Sequence, residues 1–135
     1  MGKKGTGVIA ALELLTGLGI LLFWIGFFTI GLAPVNPPQC YFVFEHSFPL
    51  PDAILAFALI VAAAMLSKGR PVGRDLSLIC SGGLMFLGVL DFSFNIQNGM
   101  YEISVLDTVL NAFINIWCVA FGLFVSIRLA GNRPG

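Results

Sequence analysis

Between residues 91 and 115 the chain reads DFSFNIQNGMYEISVLDTVLNAFIN, a polar interval flanked on both sides by long apolar runs. Asp91, Asn95 and Asn98 recur at spacings of four and three, and Asp107, Asn111 and Asn115 recur at spacings of four. On a helix each set falls on one face. Carboxyl groups can hold a cation or a polar ligand, or move a proton as general acid or base. Asparagine amides can both donate and accept hydrogen bonds. An acidic side chain at membrane depth costs about 2.5–3.5 kcal/mol even on the lenient scale. That cost marks Asp91 and Asp107 as candidates for function, whereas a lone Asn on such a face is more often helix-to-helix glue. Glu45 and His46, further upstream, are the other groups able to reach the same region.

These residues sit in a chain of 135 residues, 58% hydrophobic and only 10% charged, with a mean hydropathy of +0.96. A soluble domain would carry roughly a quarter charged residues, so lipid must be the main solvent. The formal net charge of zero excludes the basic footprint of a nucleic-acid binder. Four apolar segments stand out, at about 8–32, 50–67, 76–96 and 103–129. Each is long enough to cross a hydrocarbon core of about 30 Å. The pattern predicts an all-α integral membrane protein, a single domain over 1–135 with four transmembrane helices in an antiparallel bundle.

Orientation follows from the basic residues. Lys3 and Lys4 precede the first helix; Lys68, Arg70 and Arg74 lie between the second and third; Arg128 and Arg133 follow the fourth. The other two connections contain none. Both termini are therefore expected in the cytoplasm, with the chain in the plasma membrane. Met1 to Thr6 also fits the M-G-x-x-x-[ST] acylation pattern. It is read as a plain basic start, because four spans leave an acyl anchor nothing to add.

Between helices 1 and 2, Pro34, Pro37, Pro38, Pro49 and Pro51 exclude a regular helix, and four aromatic residues over 41–48 suit the headgroup zone. A proline- and aromatic-rich outer flap carrying Glu45 and His46 is expected there. Asp52, just after Pro51, reads as a helix-start carboxylate. Glu13, near the basic end of the first helix, reads as able to reach Lys68 or Arg128. Small residues at Gly17, Gly26, Ala56, Ala63, Gly88 and Gly122 are expected on helix-to-helix faces.

Counting back equally from a turn at Asn98-Gly99 sets Asp91 level with Asp107, and Cys80 near the depth of Cys118. Two carboxylates at one depth cannot both stay charged without a cation or a donor such as His46 between them. No C-x-x-C, G-x-S-x-G, Walker loop or H-E-x-x-H occurs. No metal site or cofactor is assigned, and catalytic residues stay unassigned.

The leading expectation is an outward-facing polar pocket that binds, and in a homodimer could transport, a small polar molecule or cation. Asp91, Asn95, Asp107, Asn111 and Asn115 would line it, and Glu45 and His46 would cap it. A membrane enzyme working on a lipid or isoprenoid by Asp or His acid–base chemistry is the alternative. The third reading is a non-catalytic subunit of a larger membrane complex. A slot open sideways to lipid would favour the enzyme, and a path past Gly88 and Gly122 the transporter.

Overall fold

The computed structural model describes residues 2–131. Met1 of the acylation pattern, Arg133 and the rest of the 132–135 tail lie outside the described residues. The chain is helical: α1 (Lys3–Thr29), α2 (Tyr41–Glu45), α3 (Pro49–Ser67), α4 (Pro71–Gln97) and α5 (Val105–Ala130), with one 3-10 turn, Met100–Glu102. The four long helical stretches are each long and apolar enough to cross a membrane. Large apolar side chains such as Leu22, Phe28, Phe57, Phe86 and Phe113 point away from the protein, as expected where lipid tails are the surroundings.

Helix starts follow local chemistry more closely than hydropathy. The third long helix begins at Pro71, five residues before the apolar run, because a proline in the first turn has no N–H to leave unpaired and its φ already suits a helix. Pro49 and Pro51 open α3 in the same way. The proline-free stretch between Pro38 and Pro49 is not irregular throughout: Tyr41–Glu45 closes one helical turn. Prolines bar a helix only where they stand, and here they stand at its two ends.

The helices pack in chain order, α1 on α3, α3 on α4 and α4 on α5. Small residues set the approaches. At Gly17 a Cβ would lie 2.8 Å from the Ala56 carbonyl oxygen of α3. At Gly88 it would lie 2.8 Å from Val119 Cγ2 and 3.1 Å from the Asn115 carbonyl oxygen. At Gly122 it would meet the Ser81 carbonyl oxygen at 2.7 Å. The Ser81 and Ser126 hydroxyls are 2.8 Å apart across the same seam. Arg74 donates from both Nε and Nη2 to the Leu129 carbonyl. The seam residues Ser77, Ser81, Leu84, Gly88 and Asn95 of α4, and Asn115 and Gly122 of α5, are all buried.

These contacts correct the expected register. Gly88 faces Asn115 and Cys118, so Asp91 falls level with the Asn115 turn and not with Asp107. Asp107 sits about two turns, or about 12 Å, nearer the connection. The cause is the connection itself. Gly99 takes a left-handed φ of 65°, a 3-10 turn follows, and Ser104 starts α5. The midpoint of the hairpin is near Ile103, not at Asn98-Gly99. Cys80 and Cys118 are offset by the same amount, since Cys118 abuts Gly88, and all three cysteines are free.

Candidate functional site

The end of the bundle that carries both the 30–48 and the 98–104 connections is tied together by aromatic contacts. Trp24, Phe27, Tyr41 and Met100 form one buried cluster. Phe44 stacks on Phe94 with ring centroids 3.8 Å apart, holding α2 against α4. Cys40 Sγ lies 3.4 Å from Asn98 Oδ1 as a weak donor.

Beneath this cluster is an open cavity of about 670 Å³, whose walls include Glu45, Asp52, Asp91, Asp107, Asn111 and Asn115. Five of the seven residues singled out in the sequence therefore share one cavity wall. Asn95 stands directly behind: it is 1% exposed and its Nδ2 donates to Asp91 Oδ2 at 3.2 Å. It positions the Asp91 carboxyl without lining the space. His46 is elsewhere. Its exposed ring lies 6.0–6.3 Å from the Phe27, Phe28 and Phe42 ring centroids and contributes nothing to the cavity wall.

Asp107 and Asn111 have local duties as well. Ser104 caps α5 by accepting from the Asp107 N–H at 3.1 Å, and its hydroxyl donates to Asp107 Oδ2 at 2.5 Å. The stretch Ser104-Val-Leu-Asp107 has the spacing of a capping box, but the Asp107 carboxylate accepts from the Ser104 hydroxyl. Asn111 Nδ2 donates to the Asp107 carbonyl at 2.9 Å. Asn115 is different. Its Nδ2 donates to the Tyr101 hydroxyl at 2.8 Å, but its buried Oδ1 has no hydrogen-bond partner. A buried acceptor left unpaired costs about 1–3 kcal/mol, and this one belongs to a residue of the cavity wall.

Three residues of the site were not assigned to it from the sequence. Asp52 lies in the first turn of α3, but its Oδ2 accepts the Trp24 indole N–H at 2.8 Å. It faces the cavity and caps nothing. Trp24 and Tyr41 line the same wall. The only sequence signal for them was an acidic residue one helix away from a tryptophan at similar depth.

The cavity lining holds no Lys, Arg or His. The carboxyl groups are spread around it: among the described residues no three His, Cys, Asp or Glu side chains converge to hold a metal ion. Its mouth is apolar. Leu15 and Gly19 of α1 and Leu110, Phe113 and Ile114 of α5 line it and are exposed, while Leu84, Leu87 and Gly88 of α4 form the inner wall. α1 and α5 are not among the closely packed helix pairs. Near the deep end of their gap the Trp117 indole donates to Thr16 Oγ1 at 3.1 Å.

Glu13 departs from its expected place. It is 1% exposed and both carboxyl oxygens lack a hydrogen-bond partner, so it does not reach out to Lys68 or Arg128. It is buried among α-helical neighbours that include Ser77 and Cys80. Comparison with protein-family models, curated proteins and solved structures finds no significant match to this chain.

Proposed function

We propose that this is a single-domain plasma-membrane protein whose outward-facing pocket binds a small polar molecule or cation. The observation that carries the reading is one cavity with Glu45, Asp52, Asp91 and Asp107 in its wall, no basic residue, and the unpaired Asn115 Oδ1. Such a lining attracts positive charge and offers acceptors to its donors. Asp91, braced by Asn95, and Asn115 are the principal contacts. Glu45, Asp52, Asp107 and Asn111 shape the field around them.

The bundle is taken as antiparallel with both termini cytoplasmic. Support comes from the basic residues: Lys3, Lys4, Lys68, Arg70, Arg74 and Arg128 all belong to the ends or connection opposite the aromatic cluster. The aromatic 41–48 segment then acts as the outer flap over the pocket. Transport would require α4 and α5 to part, because Gly88 and Gly122 are closely covered and leave no route between them. A homodimer would supply the extra helices for such a movement.

A second reading has an observation in its favour. The apolar mouth between α1 and α5 suits a membrane enzyme acting on a lipid. Asp91 would then be its general acid or base, since His46 stands away from the cavity.

Detergent-purified protein melted against a panel of small cations, ethylammonium among them, and uncharged metabolites tests the main reading. A binder present at about 100 times its Kd adds about 2.7 kcal/mol to stability, enough for a clear rise in Tm. The rise should vanish in Asp91→Asn. Identical melting of both proteins under every condition would reduce the polar wall to packing.

A further inference from the structure

We propose that the ligand is a single-chain amphiphilic primary amine that enters from the bilayer between α1 and α5, its ammonium group held by Asp91 and Asn115. The inference rests on the binding pocket proposed above and names the chemistry that would fill it. Three observations converge.

The cavity is too large and too apolar for a head group alone. At about 670 Å³ it falls in the range of about 300–1,000 Å³ that holds drug-sized ligands. Its carboxyl and amide groups form one part of the wall, from the flap down to Asp91 and Asn115, while Leu12, Leu15, Phe113 and Trp117 make the wall along α1 and α5 apolar. A ligand filling it needs one polar end and one apolar chain.

The polar end should be a cation that donates hydrogen bonds. Carboxyl groups without a basic partner disfavour a phosphate or carboxylate head through like-charge repulsion. Asn115 Oδ1 is buried and unpaired, so the head should carry N–H groups. A primary ammonium has three donors, enough to serve Asp91 and Asn115 together. A quaternary ammonium has the charge and none of the donors.

The way in is sideways. α1 and α5 do not pack closely on each other, and the cavity-lining residues Leu15 and Gly19 of α1 and Leu110, Phe113 and Ile114 of α5 are exposed. Gly19 stands at the rim, where an added Cβ would meet nothing within 4 Å. The gap therefore has room for a chain already dissolved in the membrane.

The chain's two tryptophans, Trp24 and Trp117, both line the cavity, and this supplies the readout. The protein is placed in phosphatidylcholine nanodiscs and titrated with 12-bromododecylamine, whose bromine quenches indole fluorescence on contact. Saturable quenching is expected, displaced by dodecylamine and about tenfold or more less well by dodecyltrimethylammonium or laurate. Gly19→Leu, which fills the rim without touching the acidic wall, should weaken dodecylamine about tenfold and leave the ethylammonium effect on Tm intact. Ile114→Phe is the second rim variant, adding bulk without a new indole, with the same expectation.

Quenching that never saturates, or normal dodecylamine binding in both rim variants, overturns the inference. If ethylammonium still stabilises the wild type and not Asp91→Asn in that case, the cation pocket survives. Equal displacement by dodecyltrimethylammonium removes the donor requirement and overturns the primary-amine assignment. Equal displacement by laurate, with no ethylammonium effect, overturns the inference and the pocket together.

Discussion

Gly73→Ala is expected to destroy the folded state, whereas Gly82→Ala, nine residues along the same helix, should leave it intact. A Cβ at position 73 would lie 2.3 Å from the Leu66 backbone nitrogen and 2.6 Å from the Met65 carbonyl carbon. These are main-chain atoms of α3 and cannot rotate away. They are also locked in place, because the chain reverses over 68–70 with Gly69 at φ +69° and the Arg70 N–H bonded to the Met65 carbonyl at 3.0 Å. Overpacking that side chains can absorb costs about 1–3 kcal/mol; a backbone obstacle should cost more, against a total stability of about 5–15 kcal/mol. At Gly82 nothing lies within 4 Å, so alanine gains only its helix propensity. Size-exclusion profiles and melting curves in detergent would separate the two variants. A Gly73→Ala protein that melts like wild type would disprove the close α3–α4 crossing.

Gly73 also illustrates what the sequence could and could not reveal. Number, length and apolar character of the long helices are legible because membrane thickness leaves few alternatives. Their inner faces are legible too: Ser77, Ser81, Gly88, Asn115 and Gly122 recur at helical spacing, and all are buried. Depth along the hairpin is not. It depends on the conformation of seven connecting residues, and a single 3-10 turn with a left-handed Gly99 slid α5 by about two turns relative to α4. Asp52 was hidden for a related reason. Its position in the first turn of α3 fits a helix-start role equally well, and only the approach of Trp24 from α1 decides its direction. The gap between α1 and α5 is a property of the first and last elements in the packing order, and no local pattern in either helix encodes it.

The second large effect should be a gain. Glu13→Met is expected to raise stability by about 1–3 kcal/mol, because a buried acidic group with no partner is replaced by an apolar chain of similar length. Both Glu13 carboxyl oxygens are without hydrogen-bond partners at 1% exposure. The Ser77 hydroxyl lies within reach of the Glu13 carboxyl, but its single proton is committed to the Gly73 carbonyl at 2.8 Å. Glu13→Gln should gain less, since its amide would be equally unpaired. Chemical or thermal unfolding in detergent, compared across the three proteins, reads the effect directly. A Glu13→Met protein less stable than wild type would mean that the carboxyl finds a partner in the membrane-embedded protein. Stabilisation with ammonium binding unchanged would make Glu13 a tolerated structural defect. Stabilisation with binding lost would make it a working group, because a chain keeps a destabilising buried acid where activity depends on it. Glu13 is absent from the cavity wall while its neighbours Leu12 and Thr16 line it. Any such dependence would therefore pass through the packing of α1, the helix that forms one side of the proposed entrance.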